Sequence, residues 1–380
     1  MDIIVIQPEG LHQFPLTISL LISLSKNHKV ILVSKSDNRA YNDFLKEHNI
    51  ELIYNIDKIR LRFGILPALI ERKWNNFKLW NTVCKRLKRD TLVWSTSEKS
   101  VHLFGSKLLN VNHIMQLMEL IESTTVKESD FFGGTTNLAK IAKHAKVTVV
   151  PEYNRSHLMK LWWNLDKTPF ILPNKLTLHP RLRNCEISQK DIKDKILKIV
   201  DSGKRIILYQ GVVHEQRNLL PFIKAIEKLN EKYVLVLMTD LNSFTEKLLF
   251  DNPEIIHIPW IKAPQHLQIT SWASIGLLSY EAKKMGNLSI LNALYCAPNK
   301  IYEYSGFGIP MLSNDCPSLG PIFKQKEIGE IIDFENTESI FEAILKIEKY
   351  LDNYTEKCNS YFDEVDMDIE INKIISLAVK

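Results

Sequence analysis

The sequence predicts an α/β protein built from two doubly wound, Rossmann-like parallel-sheet domains. Short runs of branched apolar residues recur along the 380 residues, each followed by a segment of helical character. The runs are apolar throughout rather than alternating, as expected of strands buried on both faces of a parallel sheet. The series is interrupted once, at "PFILPNKLTLHP" (169–180), where three prolines break any helix.

The first series is "DIIVIQ" (2–7), "KVILVS" (29–34), "IELIY" (50–54), "TLVWST" (91–96), "HIMQLM" (113–118) and "VTVV" (147–150). The second is "RIILYQ" (205–210), "YVLVLM" (233–238), "IIHIPW" (255–260), "IGLLSY" (275–280) and "PMLSN" (310–314), with helices expected at 218–230, 264–273, 298–306 and 337–350. Two such series imply two doubly wound domains, 1–174 and 175–355, followed by a helical segment, 356–380, that can return to the first.

Composition narrows the class. With 45% hydrophobic and 24% charged residues, the chain is neither disordered nor a small stapled scaffold, and its length supports two cores. The five cysteines, Cys84, Cys185, Cys296, Cys316 and Cys358, are scattered without a CxxC pair, which argues for a reducing compartment and against zinc or a redox pair. Met1 leads straight into an apolar run without the basic flank of an export signal, and no run approaches the roughly 18 apolar residues of a membrane span. A cytoplasmic protein, at most attached to a membrane surface, is expected.

Ligands of open α/β sheets bind beyond the carboxyl ends of the strands, so the cleft between two such domains is the expected site. The stretch "APNKIYEYSGFGIP" (297–310) belongs there. With Pro298 as first helical residue, Asn299 and Lys300 fall among unpaired backbone N–H groups and form an anion site. Glu303 follows on the same side, about one 5.4 Å turn deeper, where a carboxylate can accept hydrogen bonds from ribose hydroxyls. Together they suit a nucleoside diphosphate. The same two side chains also fit an exposed i,i+3 ion pair worth a few tenths of a kcal/mol. After "RIILYQ", Gly211 lets the backbone approach a ligand, and Arg217 can pair bidentately with a diphosphate. The loop is not GxGxxG, so NAD is not implied and no cofactor is expected.

These motifs, in this order, resemble the nucleotide-sugar glycosyltransferases of GT-B fold, especially the group 4 class of bacterial surface polysaccharide synthesis. The resemblance is clearest from Gly211 to about Asp333. "ILPNKL" (171–176) resembles the family's interdomain stretch, and "GVVHEQRN" its phosphate loop, with Arg217 as the basic residue. "IPWIKAPQHLQITSWASIGLLS" resembles the segment that reads the base, with Trp260 and Ile261 near it and Ser279 closing the following strand. Glu303 matches the ribose-binding glutamate. The resemblance implies a UDP-sugar donor and a lipid-linked or oligosaccharide acceptor in capsule, O-antigen or exopolysaccharide synthesis. The chain departs from the pattern at Tyr295, where retaining members carry a glutamate; at "PEGLHQFP", which lacks the glycine-rich acceptor loop; and at Met118-Glu119, where many relatives have a histidine before the acid.

Arg217, Lys300 and the helix N-terminus supply leaving-group stabilisation without a metal. An inverting route also needs a base, for which Glu119, after "HIMQLM", is the choice and Glu122 the reserve; Glu9 and His12 could also face the acceptor. The net charge is only +5, but residues 58–89 are crowded with Lys and Arg, have Glu71 as the sole acid, and interleave Phe63, Leu66, Leu69, Trp74, Phe77 and Trp80. Such a segment, with Trp162 and Trp163 of "RSHLMKLWW", suits an anionic membrane surface, or else a helix packed on the sheet with a solvated basic face. No nucleic-acid motif is present, so that partner is not expected. A catalytically silent nucleotide-binding subunit and a sugar-nucleotide epimerase of the same fold are the alternatives.

Overall fold

The computed structural model describes residues 1–36, 38–54, 65–127, 135–214, 216–283 and 289–380. The chain forms two compact units, Met1–Pro173 with Asp366–Lys380, and Asn174–Val365.

The first unit holds β1 (Asp2–Ile6), β2 (Lys29–Ser34), β3 (Glu51–Tyr54), β4 (Leu92–Ser95), β5 (Asn112–Gln116), a two-stranded antiparallel ribbon of β6 (Thr125–Lys127) and β7 (Thr135–Asn137), then β8 (Val147–Val150) and β9 (Phe170–Ile171). Seven strands make one parallel sheet in the order β3-β2-β1-β4-β5-β8-β9. The central β1 buries Ile3 to Ile6 completely, which is why its residues are apolar on both faces. Strand β9 forms within the proline-rich join, where the sequence predicts none.

The second unit holds β10 (Arg205–Gln210), β11 (Tyr233–Met238), β12 (Ile256–Ile258), β13 (Ala273–Leu278), β14 (Met311–Asn314) and β15 (Gly329–Ile332). They form a six-stranded parallel sheet in the order β12-β11-β10-β13-β14-β15. The edge strand β15 lies outside the second predicted series. Helices Leu220–Glu227 and Thr337–Lys349 cover one face, burying Phe222, Ile223, Ile226, Ile340, Ile344 and Ile347 against Tyr209 and Leu235. The helices predicted at 264–273 and 298–306 are shorter, His266–Thr270 and Lys300–Ser305.

The C-terminal helices divide between the units. Leu351–Asp363 belongs wholly to the second: Tyr354 joins its core, and the Cys358 thiol donates to the carbonyls of Ile309 and Ile328 at 3.4 Å each. The chain returns to the first unit from Asp366, later than the expected boundary at 356. There Met367–Ala378 packs on the helix Pro15–Ser25 and on β5 and β8, burying Ile371, Ile374, Ile375 and Ala378 at helical spacing. Asp366 caps this helix by accepting from the amides of Asp368 and Ile369. Ser23 donates to Asp368 at 2.5 Å, and Lys26 pairs with the same carboxylate.

Candidate functional site

The helix Lys300–Ser305 is fixed by its tyrosines. Tyr304 is fully buried, donates its hydroxyl to Leu208 O on β10 at 2.9 Å, and lays its ring against Gly276 on β13, where any Cβ would clash. His179 bonds the carbonyl of Glu303 at 3.0 Å. The helix is thereby held beside the carboxyl end of β10.

Glu303 is 5% exposed and turned inward. Its Oε1 lies 3.2 Å from His266 Nε2, and its Oε2 accepts from Gln210 at 2.5 Å. Gln210 in turn accepts from Thr270 Oγ1 at 2.6 Å. Burial opposes ionisation of Glu303, but the His266 imidazole, the Gln210 amide and the charge of Lys300 outweigh it and hold the carboxyl below its usual range. Two lone-pair sites of the carboxylate remain for a further donor. The exposed i,i+3 ion pair with Lys300 is not formed.

Lys300 sits differently. Its ammonium lies 4.4 Å from the centre of the Tyr209 ring and 5.5 Å from that of Tyr280, and the Arg217 guanidinium stacks 4.1 Å from the same Tyr280 ring. Neither cation has a carboxylate within salt-bridge distance among the described residues. Burial, reinforced by Arg217 and only partly offset by Glu303, draws Lys300 down to about 7. His214 is lowered to about 4, by burial first and then by Arg217 and Lys300. Two cations sharing aromatic faces without a counter-ion would be relieved by an incoming anion. Gly211 has φ +115, a conformation side chains rarely adopt, and Lys300 Nζ lies 3.7 Å from where its Cβ would stand.

The other expected residues fall at the same end of the sheet with different surroundings. Asn299 precedes the helix with helical dihedrals, its side chain makes no capping bond, and its carbonyl accepts from the amides of Tyr302 and Glu303. Pro298 therefore lies outside the helix, which at six residues offers a weaker dipole than the predicted 298–306. Trp260, just past β12, is 39% exposed, whereas the Ile261 side chain is buried. Ser279 is buried and donates to Asn218 O at 2.8 Å, which braces the loop after β10.

In the first unit, Glu119 is exposed in the turn after β5, beside Met118, whose carbonyl accepts from the buried Arg155 at 2.7 Å. Glu122 is exposed further along. Glu9 is occupied by Lys99 at 2.7 Å and Gln7 at 3.0 Å, and His12 packs over Gly10. Sequence reasoning missed Glu98, which opens the helix after β4 behind the cap residue Ser97. Burial raises its carboxyl; its own backbone amide and Lys99 oppose the shift, while Glu119 and Glu9 add to it. The available signal was "STSEKS", a serine cap directly after a strand. Also missed were Gln210 and His266, the partners of Glu303. A polar residue ending the apolar run "RIILYQ" was the only local hint of the first.

No protein-family model matches the chain, and no curated protein matches it in sequence. Solved structures match it in fold. Anabaena Alr3699/HepE in complex with UDP superposes with a TM-score of 0.69 at 11% identity, covering 99% of this chain and 98% of that one. The fold is GT-B. The trehalose-6-phosphate synthase OtsA gives a TM-score of 0.69 at 10% identity over 99% of this chain and 98% of its own. A glycosyltransferase from Rickettsia africae gives 0.63 at 13% over 99% and 97%. The seven- and six-stranded parallel sheets are the two Rossmann-like units of the GT-B architecture.

Proposed function

We propose that the chain is a glycosyltransferase whose second unit binds a nucleoside diphosphate sugar, with UDP as the carrier. The observation that carries this is the pairing of two cations, Lys300 and Arg217, that have no carboxylate within salt-bridge distance among the described residues, with a buried, ionised Glu303 one turn beyond Lys300 on its helix. Anabaena HepE, of the same fold, was solved with UDP and with UDP and glucose. In this reading Lys300 and Arg217 hold the diphosphate, with the Asn299 end of the helix and the bare backbone of Gly211 close to it. Glu303 accepts from the ribose hydroxyls. Trp260 and Ile261 border the base, and Ser279 keeps the loop of Arg217 in place.

Bond cleavage leaves a diphosphate bearing one more negative charge, and the two cations stabilise that charge without a metal. Glu119 is assigned as the base that takes the acceptor hydroxyl proton in an inverting transfer. Glu98 is a second choice, because its raised affinity for a proton suits a base.

We assign a lipid-linked glycan acceptor and attachment to the inner face of the plasma membrane from the helix Ile65–Cys84. Its Ile70, Trp74 and Phe77, spaced i, i+4, i+7, are 63%, 55% and 47% exposed. Lys78 lies over the Trp74 ring and Lys107 over the Phe77 ring, amid exposed Lys73, Lys85, Lys88 and Arg89. Residues 58–64, including Phe63, lie outside the described residues, as do the side chains of Leu66 and Leu69. Trp163 does not belong to this surface: it is a core residue, 1% exposed. No helix among the described residues is long and apolar enough to cross a membrane. The resemblance to the group 4 class supports a capsule, O-antigen or exopolysaccharide as the product.

The test is a panel of UDP-sugars with and without lipid-linked acceptor, reading UDP release. Release that requires acceptor supports transfer. Binding without turnover marks a silent subunit, and a changed sugar without acceptor marks an epimerase.

A further inference from the structure

Two cysteines that are far apart in the sequence meet in the second unit. Cys296 lies four residues before Lys300, and Cys316 follows β14. Their side chains are 4% and 1% exposed, and their sulfurs are 3.9 Å apart. Ser318 joins them: its hydroxyl lies 3.3 Å from Cys296 Sγ and 3.6 Å from Cys316 Sγ, and donates to Leu294 O at 3.1 Å. The Ser318 amide bonds the same carbonyl at 3.3 Å, so the two loops are already tied by backbone. Spacing along the sequence, which argued against a redox pair, did not show this meeting of two distant cysteines.

The other thiols differ. Cys358 has its sulfur hydrogen directed at two carbonyls, and burial pushes its thiol up. Cys84 is exposed, with no sulfur neighbour among the described residues. Cys316 has the opposite environment from Cys358: hydrogen bonding from Cys296 outweighs burial, and with bonds from Ser318 and the Leu319 amide it holds the thiol below the usual cysteine range. That favours the thiolate, the form that reacts.

We propose that Cys296 and Cys316 are a peroxide-sensitive dithiol that closes to a disulfide and tightens the stretch carrying Lys300 and Glu303. The Cys316 thiolate attacks one oxygen of hydrogen peroxide, breaking the O–O bond and leaving a sulfenic acid and, after proton transfer, water. The Cys296 thiol gives up its proton as its sulfur attacks the sulfenic sulfur, and the departing hydroxide takes that proton as a second water. Two thiols lose two electrons to the peroxide, and atoms balance. Closing the gap from 3.9 Å to a bond of about 2.05 Å brings the sulfurs together by roughly 2 Å in all. The ring so formed spans 296–316 and encloses the whole helix Lys300–Ser305.

The experiment treats the reduced full-length chain with hydrogen peroxide and maps its thiols after unfolding and alkylation. The expected result is loss of Cys296 and Cys316 together, a mass lower by two hydrogens, a cross-linked peptide, and reversal by dithiothreitol, with Cys358 still alkylated. In Cys316→Ser, Cys296 should stay reduced; Cys296→Ser serves if that variant folds poorly. Cys296 and Cys316 both alkylated after peroxide, or a sulfinic acid on either without a cross-link, overturns the proposal. Amide hydrogen exchange over 297–305 in the same samples should slow on oxidation, and unchanged exchange would refute the tightening. Neither readout uses a nucleotide, so both are independent of the function proposed above.

Discussion

His266 Nε2 lies 3.2 Å from Glu303 Oε1 in surroundings that bury both side chains, so the acid of the candidate site is also a structural group. Glu303→Ala leaves the facing nitrogens of His266 and Gln210 without their acceptor, at about 1–3 kcal/mol for each buried group. A lower melting temperature is expected for Glu303→Ala, and a smaller drop for Glu303→Gln, which still offers an oxygen. Because the folded carboxyl is held below its usual range, its contribution is present above the ordinary glutamate pKa and lost as pH falls through the folded value. The stability gap between wild type and Glu303→Gln should therefore shrink on acidification, as followed by denaturant titration.

Lys300 shifts stability with pH in the same direction but over a higher range. Its folded pKa of about 7 lies below the ordinary 10.5, so between the two the unfolded chain binds the extra proton and stability rises with pH. Lys300→Met should flatten that rise. A bound diphosphate favours the ammonium, so UDP binding at pH 8 should take up a proton. Calorimetry in buffers of different ionisation enthalpy measures that uptake directly.

Gly211→Ala tests the close approach of backbone to the site. At φ +115 an alanine costs about 1–3 kcal/mol in strain, and its methyl comes within van der Waals distance of Lys300 Nζ. Both melting temperature and UDP affinity should fall.

Truncation after Val365 should cripple the first unit rather than the second. It uncovers the surface on which Ile371, Ile374 and Ile375 pack, at about 1.5–3 kcal/mol for each side chain. Lys26→Ala, which removes only a partly exposed ion pair, should cost under about 1 kcal/mol. Limited proteolysis of the two variants separates these outcomes: the truncated chain should be cut within residues 1–173, and the point variant should resist.

The double variant Trp74→Ser, Phe77→Ser should fold normally, since both rings are about half exposed, yet sediment less with anionic vesicles. Equal sedimentation of both proteins would remove the reason for a membrane-borne acceptor.

Much of this architecture could be read from residue patterns. Both sheets follow from uninterrupted apolar runs, because strands such as β1 and β10 have no solvent face to alternate toward. The placement of Gly211, Arg217, Lys300 and Glu303 near one another also follows, since strand ends and helix starts converge in a doubly wound sheet. What escaped was pairing over long sequence separations. His266 and Gln210 reach Glu303, and Cys296 reaches Cys316, through contacts that only the assembled sheet creates. The short edge strand β15 carries a weak signal of its own, because "GEII" is too brief to display a period. Trp163 shows the reverse error, an aromatic that looks available in sequence and is consumed by the core.

The most direct measurement is a calorimetric titration of UDP into wild type, Arg217→Ala and Lys300→Met. Charge-assisted bonds to phosphate are worth about 1.5–3 kcal/mol each, so each variant should bind UDP some ten- to hundredfold more weakly while keeping its fold. Affinity unchanged in both variants would show that the cation pair over Tyr209 and Tyr280 is not where a nucleotide diphosphate is held.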